Sequence, residues 1–308
     1  MIDGFVSSCC TFLRSFLNLN PSKASPVAAL RPITPVSVPY YAPAIDLPAP
    51  LPTTAEIENS DQILKDGAVK VVAVGTHFIV KYGKRLNLEE GRMMVFVQQS
   101  TRVPVPRVSA LYQDNGKNFI VMEKIHGQTL QDAWDTFDDR KKQEIISHLK
   151  GYVKQIRNIQ SPAGYCSLGK RPLLHPMFAS PSDDYNGPFE SEAKLNDALI
   201  RKCRDSPALN KKAEYYERVI PKVFVGHPPI LTHGDLQQKN IMIRTGSTVN
   251  IVLLDWESAG WYPSYWEYVN TIFASWFESD WFRWVDDFLE PFPNEYAWYA
   301  MLAQEIGY

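Results

Sequence analysis

Two short segments concentrate the residues that could do chemistry. Residues 231–242 read Leu-Thr-His-Gly-Asp-Leu-Gln-Gln-Lys-Asn-Ile-Met, and residues 251–257 read Ile-Val-Leu-Leu-Asp-Trp-Glu. They set His233, Asp235, Asn240 and Asp255 at the ends of two apolar, strand-like runs. Asp235 can accept a hydroxyl proton, and Asn240 and Asp255 can hold a divalent cation; phosphoryl transfer needs these parts. Oxygen donors suit Mg²⁺, which binds one or two carboxylates together with substrate phosphates. Two carboxylates at the ends of apolar strands would be costly without a metal or partner. His233 reads as a hydrogen-bonded histidine that braces the loop and transfers no proton.

The pattern His-Gly-Asp-Leu-x-x-x-Asn-Ile, then an apolar strand and Asp-Trp-Glu, resembles the aminoglycoside phosphotransferase and choline kinase-like families, which share the protein kinase fold. Protein kinases write the loop His-Arg-Asp-Leu-x-x-x-x-Asn and open the metal strand's end with Asp-Phe-Gly. Here Gly234 replaces the Arg, and Trp256 and Glu257 follow Asp255. The small-molecule kinases differ in those same two ways. Gln238 stands where the family often has Pro, which bears on the loop's rigidity and leaves the chemistry untouched.

The resemblance implies an α+β, protein kinase-like fold with two lobes. A small N-terminal antiparallel β-sheet lobe with one helix would precede a larger, mainly helical C-terminal lobe. Val69–Val74 and Phe78–Lys81 are β-branched runs joined by Gly75-Thr76-His77, which reads as a hairpin. Lys81 then falls where the phosphate-anchoring lysine of kinases sits. Residues 88–97 have helical apolar spacing, so Glu90, or else Glu89, would pair with Lys81. Residues 103–108 and 119–123 are expected as further strands. The second runs into an inter-lobe hinge, where Met122, Glu123 and Ile125 would meet adenine.

No Gly-x-x-x-x-Gly-Lys-Ser/Thr or Gly-x-Gly-x-x-Gly run exists, which excludes a P-loop and a dinucleotide-binding fingerprint. The phosphate cover would then be a plain turn at residues 73–76. Three other readings stay open: a protein kinase, a non-catalytic pseudokinase-type nucleotide-binding module, and a metal-dependent phosphoesterase. The last would want more His ligands than the six His of this chain supply in such a context.

A chain of 308 residues can hold two lobes with a real core. A net charge of −2 gives no basic footprint for nucleic acid. Cys9, Cys10, Cys166 and Cys203 form no CxxC pair, which argues against zinc and a disulfide framework and fits a cytoplasmic protein. Phe5–Leu19 is too short to span a bilayer. The first fifty residues carry five charges and eight prolines, so residues 1–55 are expected as a disordered extension, 56–125 as the ATP-binding lobe and 126–308 as the catalytic lobe.

In the second lobe, Thr136 and Asp139 suggest a capping box opening a helix with Ile145, Leu149, Tyr152 and Ile156 as its buried stripe. Residues 161–210 read as a loop-rich insertion that helps shape the acceptor site. From Asp255 to the C-terminus there are ten acidic residues and one base, Arg283, and seven of the eight tryptophans. Acidic, aromatic walls attract cations, so the small-molecule acceptor is expected to bear an amine, as an amino sugar or amino alcohol does. Glu257, Trp261, Tyr262 and Trp266 are the expected wall. The same tryptophans could instead fill helical core. The expected activity is thus ATP- and Mg²⁺-dependent phosphorylation of a small-molecule hydroxyl; oligomeric state is not legible.

Overall fold

Alternation along one strand organises the first lobe. The computed structural model describes residues 34–179, 185–246, 249–275, 277 and 279–306. The strands β1 (Tyr40–Tyr41), β2 (Ile63–Lys65), β3 (Lys70–Val74), β4 (Phe78–Gly83), β5 (Val108–Asp114) and β6 (Lys117–Glu123) form one antiparallel sheet, ordered β1-β5-β6-β4-β3-β2. Helix α1 (Thr54–Glu58) precedes β2, and helix α2 (Glu89–Ser100) lies between β4 and β5.

Successive side chains of a strand face opposite sides. Phe78, Val80 and Tyr82 of β4 join Phe119 and Val121 of β6 in a core with Ile57 of α1. Ile79 and Lys81 must therefore face the other side, opposite Met122 and Ile120, where Met93, Met94 and Val97 of α2 pack against Leu111. Each fully buried aliphatic side chain there contributes about 1.5–3 kcal/mol.

Several details depart from the sequence reading. Residues 103–107 form no strand; β5 starts at Val108, after Pro104 and Pro106, which lack the N–H a ladder needs. Within residues 34–55, assigned above to a disordered extension, β1 pairs with β5 through Tyr40–Leu111 and Tyr41–Ala110, and Thr53 caps α1 with a complete capping box. Phe5–Leu19, Cys9 and Cys10 lie outside the described residues.

The second lobe begins with β7 (Gly127–Thr129), α3 (Leu130–Ala133) and α4 (Asp139–Arg157). The cap of α4 is Asp138, whose carboxylate accepts the Lys141 N–H at 2.8 Å, two residues later than the capping box expected at Thr136. Ile145, Leu149 and Ile156 are buried as expected, while Tyr152 is half-buried and Val153 takes its place. The expected loop-rich insertion contains a regular helix, α5 (Glu192–Arg204), followed by α6 (Asn210–Val223). Residues 180–184 of that insertion, with the Pro181-Ser182-Asp183-Asp184 run, lie outside the described residues.

Strands β8 (Pro229–Thr232), β9 (Ile241–Arg244), β10 (Ile251–Leu253) and β11 (Gly260–Pro263) frame the two chemical segments, and α7 (Trp266–Phe273), α8 (Trp281–Phe288) and α9 (Pro293–Glu305) close the lobe. Trp261, Tyr262 and Trp266 are fully buried. Tyr262 and Trp266 stack on Phe178 and on each other, and Trp261 packs its ring against Phe96, so the three are core and do not form a substrate wall. Trp276 lies outside the described residues. Among the described residues no helix is long and apolar enough to cross a membrane.

Candidate active site

Two strand pairings bring the chemical residues together. β10 runs antiparallel to β9 with Leu253 opposite Ile241. Asn240, just before β9, therefore meets the residues just after β10, and its carbonyl accepts the Leu254 N–H at 2.8 Å. β8 pairs with β11 with Thr232 opposite Gly260, which lays the next residues, His233 to Asp235, beside the same end.

The loop between them is held from inside. His233 is completely buried; its Nε2 donates to the Leu254 carbonyl at 2.8 Å and its Nδ1 accepts the Asp235 N–H at 3.3 Å. That pairing fixes a neutral imidazole, and burial holds the His233 pKa below its ordinary value. His233 thus links the Asp235 loop to the Asp255 strand as a brace. Glu267, on α7, accepts the His233 N–H at 2.6 Å and the Gly234 N–H at 3.1 Å. Burial pushes the Glu267 carboxyl up to about 7 against the pull of those two N–H groups.

The Asp235 side chain is about a quarter exposed. Asn240 Nδ2 donates to its Oδ2 at 2.7 Å and to its backbone carbonyl at 2.9 Å, Gln237 Nε2 donates to its Oδ1, and Lys239 Nζ stands 3.8 Å from Oδ2. With the Asn240 NH₂ committed to Asp235, the planar amide turns its Oδ1 the other way.

Across the cleft, Lys81 joins the lobes. Its Nζ donates to Glu90 Oε1 at 2.7 Å and to Asp255 Oδ1 at 2.9 Å. Burial works against the ammonium charge, but the Glu90 and Asp255 carboxylates outweigh it and raise the Lys81 pKa. Glu90 is 1% exposed, and burial pushes its carboxyl up to about 7 although Lys81 pulls it back. Burial opposes ionisation of Asp255 as well, yet Lys81 holds that pKa below its ordinary value. Glu89, the other expected partner, is paired elsewhere: its Oε1 takes Arg92 at 2.6 Å and also Arg171.

Asp255 has a left-handed backbone, φ 63° and ψ 64°. Such a conformation is uncommon outside glycine, and strained residues cluster at functional sites. Glu90, Asp255 and Glu257 each offer an oxygen within 4.8 Å of the others, and burial, then the Asp255 charge, raises the Glu257 pKa. This oxygen-only donor set fits a hard divalent cation.

The hinge residues lie where β6 leaves the sheet. Met122 is buried opposite Ile79, and Glu123 and Ile125 are half-buried. The Glu123 carboxylate accepts Arg244 at 2.8 Å, tying the hinge to β9. The turn at residues 73–76 uses Gly75 at φ 60°.

Glu267 and Gln237 escaped the sequence reading. Glu267 belongs to no local motif and is 33 residues from Gly234, so only the fold reveals the contact. A cavity of about 370 Å³ adjoins the loop; Gln131, Trp134, Gln237 and Gln238 are among its lining residues. A cavity of about 750 Å³ along α5 and α6 shares no residue with the loop, so position beside Asp235 outranks size.

A model of the phosphotransferase enzyme family matches residues 68–302. No curated protein matches the sequence. Among solved structures, the ADP-bound aminoglycoside phosphotransferase APH(2'')-Ib aligns with a TM-score of 0.53 at 16% identity, over 80% of this chain and 85% of that one. The aminoglycoside-3'-phosphotransferase of type VIII aligns with a TM-score of 0.50 at 15% identity, over 79% and 92%. An ethanolamine kinase of Plasmodium vivax aligns with a TM-score of 0.44 at 13% identity, over 84% and 80%. The likeness of the first two is one of fold, the protein kinase-like architecture.

Proposed function

The chain belongs to the phosphotransferase enzyme family, and we propose that it is an ATP- and Mg²⁺-dependent kinase that phosphorylates a hydroxyl of a small molecule. The observation that carries this reading is Lys81, shared between Glu90 of the first lobe and Asp255 of the second. A charged ammonium fixed between two carboxylates at a cleft is pre-positioned to meet an anionic triphosphate. Adenine would lie at the hinge formed by Met122, Glu123 and Ile125.

In this mechanism Asp235 orients the acceptor hydroxyl. The acceptor oxygen forms its bond to the γ-phosphorus while the bond to the β–γ bridging oxygen breaks, and the hydroxyl proton passes to the Asp235 carboxylate. Gln237 and Asn240 keep that carboxylate in one orientation. Asn240 and Asp255 would hold Mg²⁺, with Glu257 beside them, and the ion neutralises charge on the phosphates when bound. His233 and Glu267 move no proton; they keep the loop's backbone in place.

Titration calorimetry with Mg²⁺ and a non-hydrolysable ATP analogue tests the assignment. Wild type and Asp235→Asn should bind alike, while Asp255→Asn should bind at least about tenfold more weakly, as loss of a charge-assisted contact implies. Equal binding by wild type and Asp255→Asn would overturn the metal assignment.

A further inference from the structure

An irregularity in the pairing of β2 brings a second ammonium group to the cleft. Ile63 lies opposite Val72 and Lys65 opposite Val71, so three residues of β2 span two of β3. Leu64 is the extra residue and is exposed. Successive side chains of a regular strand alternate, so without the bulge Lys65 would share the face of Ile63. That face carries Val72 and the core around Ile57, away from the cleft. The bulge turns Lys65 to the other side; bulges that re-aim one side chain recur next to active sites.

Residues opposite one another across a ladder share a face. Val71 stands opposite Lys65 on one side and opposite Lys81 on the other. Lys65, Val71 and Lys81 therefore form one row across three strands, with the two lysine backbones about 10 Å apart at the usual strand spacing. The nearby Lys70 does not join them. It lies opposite Tyr82, a residue of the core around Ile57, and pairs with Asp66 at 3.3 Å. The turn at residues 73–76, expected above as the phosphate cover, is at the other end of the hairpin. There the His77 carbonyl accepts the Lys124 N–H at 2.7 Å and the Thr76 carbonyl accepts His126 Nε2 at 3.1 Å. That turn is held against the hinge, and residues 66–69, next to Lys65, form the turn at the Lys81 end.

The charge of Lys65 reaches the carboxylates across the cleft. Burial opposes ionisation of Asp255; among the charges that overcome it are Lys81 and, more weakly, Lys65. Burial and the Asp255 charge raise the Glu257 pKa against the pull of Lys81 and Lys65. Yet Lys65 is exposed and makes no hydrogen bond or ion pair among the described residues. Lys81, by contrast, is committed to Glu90 and Asp255. Lys65 is thus an ammonium on the cleft face that is free to take an anionic ligand.

We propose that Lys65 is a second phosphate-binding residue, whose ammonium bonds the γ-phosphate of the nucleotide while Lys81 holds the phosphates nearer the hinge. The cation of a kinase bridges the β- and γ-phosphates. Lys65 acts on Asp255 and Glu257, the carboxylates beside the proposed Mg²⁺, and so lies at that end of the triphosphate. Positive groups fixed on the transferring phosphoryl stabilise the charge spread over its outer oxygens. This inference rests on the phosphotransferase reading above and gives the bulge in β2 a chemical purpose.

Titration calorimetry with Mg²⁺ and either a non-hydrolysable ATP analogue or ADP tests it, since only the first carries a γ-phosphate. Lys65→Met should weaken binding of the ATP analogue about tenfold, the low end for a hydrogen bond to a charged group, because the side chain is exposed. Affinity for ADP should stay at the wild-type value. Lys65 lies on an edge strand with its side chain in solvent, so the replacement leaves the core intact. Unchanged affinity for the ATP analogue, or equal losses for the two nucleotides, would overturn the inference and leave the kinase reading standing. Failure of the wild-type protein to bind either nucleotide with Mg²⁺ would sink both.

Discussion

Gly234 sits between the brace His233 and the proposed base Asp235 with φ +83°, and a Cβ there would lie 2.6 Å from the Ser258 carbonyl oxygen. Both conditions require glycine. The obstacle is backbone, which cannot rotate aside. Gly234→Ala should therefore destabilise the protein by about 1–3 kcal/mol and displace Asp235, so activity should fall further than the folded fraction does. Urea denaturation with activity measured at matched folded fraction would check this; a wild-type rate per folded molecule would show that the loop tolerates the shift. The residue types at this scale were legible from sequence, because each of Asp235, Asn240, Asp255 and Lys81 ends or punctuates a strongly apolar run. Glu267 was not, because its partners are backbone N–H groups that any sequence possesses.

At the scale of elements, α2 must seat closely enough for Glu90 to reach Lys81. Gly91 makes that approach possible: a Cβ there would stand 2.2 Å from Leu111 Cδ2 of β5. Leu111 is itself fully buried, so it has little room to give. Gly91→Ala should cost about 1–3 kcal/mol through overpacking and should push α2 off the sheet, lengthening the Lys81–Glu90 contact. Weaker binding of Mg²⁺ and the ATP analogue, beyond what unfolding explains, is the expected signature; unchanged affinity would mean the helix reseats without moving Glu90. The hairpin of β3 and β4 was readable from its two β-branched runs and the Gly75-Thr76-His77 turn between them; the side of the sheet that Lys81 faces came only from the strand register. The start of β5 and the cap of α4 were not, since prolines and two consecutive acids allow several registers and only packing chooses among them.

For the molecule as a whole, the buried carboxyls set a pH dependence. Glu267 has an ordinary value of 4.5 and stands at about 7 in the folded chain. Between those values the folded state holds a proton that the unfolded state releases, so the contribution of Glu267 to stability is fully present below about 4.5 and is lost as pH rises through about 7. Glu267→Gln should remove part of that slope while costing about 1–3 kcal/mol, because one of two buried N–H groups loses its acceptor. Denaturation at pH 5 and pH 8 would reveal it; an equal slope in the variant would assign the dependence elsewhere. The two-lobed architecture followed from the order of motifs along the chain. The places of the aromatic and acidic residues did not, because composition counts the tryptophans and acids but cannot tell that Trp261, Tyr262 and Trp266 are core, or that Asp280 and Trp134 already hold Lys142.

The most direct test of the account is Mg²⁺-dependent release of ADP from ATP in the presence of small alcohols, amines and peptides, with wild type beside Asp235→Asn. General-base catalysis contributes about 10²- to 10⁴-fold. The account predicts turnover of a small alcohol that falls by that amount in Asp235→Asn while affinity for Mg²⁺ and the ATP analogue is kept. Equal turnover by the two proteins would contradict it.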